Sequence, residues 1–104
     1  MNDTVWTALV DRHRRDLLDL LAQEELSVGE LVARLGLTQP QTSKHLRVLR
    51  DAGLVRVEAR GPHRIYAVDP RPMAELDDWL APYRRLWNAS LDRLGRHLDE
   101  EGDS

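Results

Sequence analysis

Five polar side chains lie close together over residues 39–47: Gln39, Gln41, Ser43, Lys44 and Arg47. A glutamine amide can bond two polar atoms on the edge of an adenine, an arginine fork matches a guanine, and lysine or serine can hold a phosphate or a base. A second group, Arg60, His63 and Arg64, flanks Gly61-Pro62, where a tight turn would carry cations to a nucleic-acid backbone or a minor groove. The chemistry on offer is noncovalent recognition of double-stranded DNA. Catalysis fits poorly: Ser43, His45 and Asp51 fall on one predicted helix, where residues two apart face different ways and cannot form a nucleophile and base pair. There is no phosphate loop or redox motif, and no cofactor is implied.

The flanking sequence supplies elements to position these groups. Two helices are predicted to open with Ser/Thr-x-x-Glu/Gln boxes, Ser27 with Glu30 and Thr38 with Gln41, which satisfy the unpaired amides of a first turn. The first runs over about 28–35 and the second over 39–52, with Gly36-Leu37-Thr38 too short to separate them; together they form a helix-turn-helix over about 28–52. Pro40 is harmless in a first turn. Leu46 and Leu49, with Thr42, face the core. Strands are expected at 54–59 and 64–68, making a two-stranded wing over about 54–68. An N-terminal helical region covers most of residues 4–24. Asp69-Pro70 opens a long amphipathic helix over about 71–99, carrying Leu76, Leu80, Tyr83, Trp87, Leu91, Leu94 and Leu98 on one stripe. Pro82 should kink or divide it. The whole is expected to be one mainly α domain over residues 1–104 with a small β-hairpin.

Charge divides along the chain in the same way. Residues 1–33 carry three arginines against seven acids, residues 34–64 seven basic groups against two acids, and residues 65–104 five against nine. The middle segment is thus +5 and each end −4, which gives the net −3. Screening confines charge interactions to about 8–10 Å at ordinary salt, so the local excess decides docking. The absence of cysteine excludes disulfides and thiolate metal sites. No stretch approaches the ~20 apolar residues of a membrane span, and no export signal is evident, so the expected location is cytoplasmic.

One recognition helix covers few base pairs, so pairing of two copies is expected, with half-sites about one helical turn apart. Trp6, Leu9, Leu80, Tyr83, Trp87, Leu91 and Leu94 on the terminal helices are the candidate dimer surface. Two other uses of that surface exist. It could hold a different protein, which would make the chain an interaction module, or Trp6, Trp79, Tyr83 and Trp87 could wall a pocket for an aromatic effector. His13 and His97 are expected near each other where the terminal helices meet.

The motifs DRHRRDLLDLL, LSVGELVARLGLTQPQTSKHLRVLRDAGLV and RGPHRIYAVDP resemble the ArsR-type winged-helix repressors of bacteria, over roughly residues 5–98. The resemblance implies a homodimer built from the first and last helices, a recognition helix at Gln39–Ala52, and repression by blocking promoter access. It also exposes departures. Where many members place cysteines, this chain has Ser27 and Gly29. Of the four ligands of the family's other zinc site, His97 and Glu100 match, while Arg84 and Leu86 replace the rest, too few for four-coordinate zinc. No metal is therefore expected. Arg12 stands where the family commonly has a proline that breaks the first helical region.

Overall fold

The computed structural model describes residues 3–102, with side chains described for residues 3–96. In chain order the elements are α1 (Asp3–Val10), α2 (Arg12–Gln23), β1 (Leu26–Ser27), α3 (Val28–Leu35), α4 (Gln39–Asp51), β2 (Val55–Arg60), β3 (His63–Val68) and α5 (Pro70–Gly102). The architecture is mainly helical with a small antiparallel sheet of order β1-β3-β2. Among the described residues no helix is long and apolar enough to cross a membrane.

The helix-turn-helix forms as its caps dictate. Ser27 Oγ accepts from the Glu30 amide while Glu30 accepts from the Ser27 amide, and Thr38 and Gln41 repeat the exchange at α4. Gly36 ends α3 in the left-handed conformation, φ 69°, which an L side chain would resist. The turn therefore folds back at once, and Leu31 of α3 joins Leu46 and Leu49 of α4 in a core completed by Leu17, Leu18, Leu21, Leu26 and Leu54. Thr42 is also fully buried, with its hydroxyl donating to the Thr38 carbonyl, so the polar group costs little where it sits.

Three expectations need correction. The N-terminal helical region is two helices, because Asp11 takes an extended conformation and its carboxylate accepts from the amides of His13 and Arg14 at 2.8 and 3.3 Å. Arg14 and Arg15 then reach back across the break to the last carbonyls of α1, those of Thr7, Ala8, Leu9 and Val10. A cap on one side and two guanidinium groups on the other thus satisfy the backbone groups at the break without a proline. The second correction is in the sheet: Leu26 and Ser27 pair with Tyr66 and Ile65, adding a third strand to the wing. The third is in α5, which Pro82 does not divide; the helix runs unbroken through it.

Against the expected 54–59 and 64–68, β2 is shifted by one residue towards the turn and β3 is one residue longer at that end. Arg60 pairs with His63 across Gly61-Pro62. Gly61 has φ 60°, and proline's fixed negative φ follows, a combination that gives a primed two-residue turn compatible with strand twist. Beyond the sheet, Asp69 accepts from the Arg71 amide and guanidinium as α5 begins, and this pairing lowers the Asp69 carboxyl to about 2.

Candidate nucleic-acid interface

α4 is amphipathic in its packing. Thr42, Leu46 and Leu49 are completely buried, whereas Gln39, Gln41, Ser43, Lys44, Arg47 and Arg50 are exposed. The exposed set separates into two stripes. Gln39, Ser43, Arg47 and Arg50 follow one another at helical spacing and line a cleft of about 420 Å³ whose other wall carries Arg64 of β3. Gln41 and Lys44 lie outside that cleft lining, and Gln41 Oε1 is engaged by the Thr38 amide at 3.1 Å. Gln41 therefore serves as a cap in this structure. His63 and Arg64 are exposed on the wing, and His63 lines a separate hollow with Glu30 and Gln39.

The cations differ in how they are held. Among the described residues the side chains of Lys44, Arg47, Arg50 and Arg64 make no hydrogen bond or ion pair within the chain. Arg60, expected to be a free cation at the wing tip, instead reaches Glu25 at 2.7 Å and Glu58 at 3.2 Å; these carboxylates raise its guanidinium pKa above the ordinary value. Arg56 lies 3.8 Å from the same Glu25. The loop before β1 thus neutralises one side of the wing, while the side facing α4 keeps its charge available. Arg50 is the basic residue that sequence reasoning missed: its place three residues after Arg47 was the signal, since that spacing keeps both on one helix face.

His45 sits at the edge of the core, and its Nδ1 is buried with no hydrogen-bond partner in the chain. His13, at the start of α2, packs beside it with ring centroids 5.6 Å apart. Burial lowers the His45 pKa; the Asp11 charge opposes that shift, while Arg14, His13 and Lys44 reinforce it. Burial alone would raise the Asp11 carboxyl, but the Arg14 and His13 amides and nearby positive charge outweigh it and leave the pKa below the ordinary value. The expected approach of His13 to His97 lies outside the described residues, because the His97 side chain is not described.

Of the expected dimer residues, Leu9 and Leu80 are half-buried, and Leu9 packs on the chain's own core. Trp6, Tyr83, Trp87, Leu91 and Leu94 are exposed, as are Val10 and Leu86, which sequence reasoning omitted from this surface. Trp6 meets Trp79 edge to face at 5.5 Å, and Trp79 stacks obliquely on Tyr83 at 4.9 Å. These rings pack on one another.

The metal sites common in the resembling family do not fit these residues. Ser27 is committed to capping α3, Gly29 offers no ligand, and Arg84 is paired with Asp77. Among the described residues no three His, Cys, Asp or Glu side chains group so as to hold a metal ion.

A recognition helix seated by a buried apolar face, with free cations on its outer face and a hairpin beside it, defines a winged helix-turn-helix regulator that binds DNA. The family model described as "Bacterial regulatory protein, arsR family" matches residues 11–57. The chain is 39% identical over 101 residues to the HTH-type transcriptional regulator Rv2034 of Mycobacterium tuberculosis, covering 97% of this chain and 92% of that one. It is also 24% identical over 78 residues to the transcriptional repressor SdpR of Bacillus subtilis, covering 75% and 87%. Among solved structures, the ArsR family transcriptional regulator RHA00566 superposes with a TM-score of 0.72 at 30% identity, covering 83% of this chain and 94% of that one. The chain belongs to the ArsR family of bacterial transcriptional regulators.

Proposed function

We propose that the chain is a homodimeric repressor that binds a palindromic operator in the cytoplasm and blocks promoter access. The observation that carries this reading is the division of α4, with Thr42, Leu46 and Leu49 fully buried and Lys44 and Arg47 exposed and unpaired. Gln39, Ser43, Lys44 and Arg47 contact bases and phosphates in the major groove; His63 and Arg64 on the wing hold the adjacent backbone. The uncovered apolar residues of α1 and α5 bring two copies together, so that two recognition helices enter successive grooves. Similarity to a protein named as a repressor supports the sign of the effect. The inducing signal does not run through a thiolate metal site, since the chain contains no cysteine.

Fluorescence anisotropy with duplexes selected from a random pool tests the assignment. Lys44→Ala combined with Arg47→Ala should weaken binding at least tenfold, and wild-type affinity should fall steeply as salt rises. Equal binding by wild type and the double variant would refute it. A reporter placed behind the selected duplex should be silenced by the wild-type chain; increased expression would reverse the proposed sign.

A further inference from the structure

We propose that the cleft between α4 and the wing is a seat for one DNA backbone phosphate, gripped by Arg50 and Arg64 from opposite walls with Arg47 between them. The proposal rests on the DNA-binding reading above and assigns a role to Arg50, which that reading leaves without one. The cleft, of about 420 Å³, is lined by three arginines and a single acid, Asp51. Among the described residues none of the three arginine side chains has a hydrogen-bond or ion-pair partner. This distinguishes them from Arg56 and Arg60 on the outer side of the same wing, which Glu25 draws away.

Position along the helix decides what the cleft can grip. Residues near the start of a recognition helix reach base edges, while its far end stands over the sugar-phosphate backbone. Gln39 and Ser43 line the early end of the cleft and Arg50 the last turn of α4, one residue before its end at Asp51. A guanidinium there would meet phosphate oxygens rather than base edges. Arginine forks match phosphate geometry in pairs, and two forks from facing walls can hold separate oxygens of one phosphate. Gln39 and Ser43 add neutral donors to a lining that also includes Val28 and Tyr66, so the cleft grades from a base-reading end to a cationic, backbone-holding end.

The same anion chemistry could come from a free phosphate ion, and the test separates the two sources. Binding of the full chain is measured by anisotropy on a selected duplex and on an unrelated one, across a salt series. Arg50→Gln should weaken binding to both duplexes by the same factor, roughly five- to tenfold, and reduce the slope of log affinity against log salt by about 1. Arg50→Lys should recover part of the affinity, because charge remains but the fork is lost. Asp51→Asn removes the one opposing charge and should tighten binding roughly twofold. The Arg50 side chain has no hydrogen-bond or ion-pair partner to lose, so Arg50→Lys, which keeps the charge at the end of α4, should keep the wild-type melting temperature and Arg50→Gln should lower it only slightly.

Each other outcome counts against the proposal. Unchanged affinity and salt slope in Arg50→Gln, with Lys44→Ala and Arg47→Ala still damaging, would overturn the phosphate seat and leave the DNA-binding reading standing. A loss confined to the selected duplex would make Arg50 a base reader. Displacement of DNA by inorganic phosphate beyond that caused by chloride at equal ionic strength would assign the cleft to a free anion. Failure of the wild-type chain to bind any duplex would overturn both readings together.

Discussion

α4 and α5 are both amphipathic helices, yet they resolve their two faces in opposite ways. α4 is 13 residues long and uses its apolar side within its own chain: Leu46 and Leu49 are fully buried against α2, α3 and the wing. What it leaves outside is polar and cationic. α5 is 33 residues long, about 50 Å at 1.5 Å per residue. Among the described residues its apolar stripe is largely uncovered beyond Leu80, and Leu91 and Leu94 remain 60% and 53% exposed. On the proposed function the difference assigns each helix its role: α4 acts through a polar face held by its buried one, and α5 through an apolar face that a second copy would bury.

Breaking the buried side of α4 should have the largest effect. Leu46→Ala should cost about 2–5 kcal/mol of folding stability, measured by urea denaturation, because it opens a cavity in a fully packed site. Replacing Leu91 and Leu94 with glutamate should do the converse. Sedimentation velocity should show a dimer becoming a monomer, with association weakened by about 2 kcal/mol or more, while the secondary structure survives. If the wild-type chain is already monomeric at tens of micromolar, the comparison fails at α5 and a different partner must cover the stripe.

Smaller effects sharpen the contrast. Thr38→Ala removes half of a reciprocal cap and should cost about 1 kcal/mol, read as a lower melting temperature. The edge of α4 should also respond to pH. Burial lowers the pKa of His45 in the folded chain, so the unfolded chain takes up a proton first as pH falls; the stability His45 supports is complete above its unfolded value near 6.5 and declines below it. His45→Phe should therefore flatten the loss of melting temperature between pH 7 and 5. An identical slope in the variant would show that other groups govern that range.

The parts legible in the sequence were those governed by local chemistry. Ser27-Glu30 and Thr38-Gln41 specify their helix starts without help from the rest of the fold, and the leucines of α4 follow the helical period. The break at Asp11 was harder, since it depends on Arg14 and Arg15 turning back onto α1 carbonyls, which no local spacing encodes. Strand β1 is two residues long, too short to show alternation, and exists only because β3 is already there to pair with it. Arg60 looked equivalent to Arg64 in sequence; tertiary placement of Glu25 made them different. The approach of His13 to His45 likewise comes from packing α2 against α4, which no spacing encodes.

Hydroxyl-radical footprinting of the wild-type chain on its selected duplex tests the central claim most directly, that a dimer presents two copies of the free face of α4 to DNA. The expected result is two protected stretches on one face of the duplex, about one helical turn apart, both lost when Lys44 and Arg47 are replaced by alanine. A single protected stretch, or a footprint indifferent to those substitutions, would contradict it.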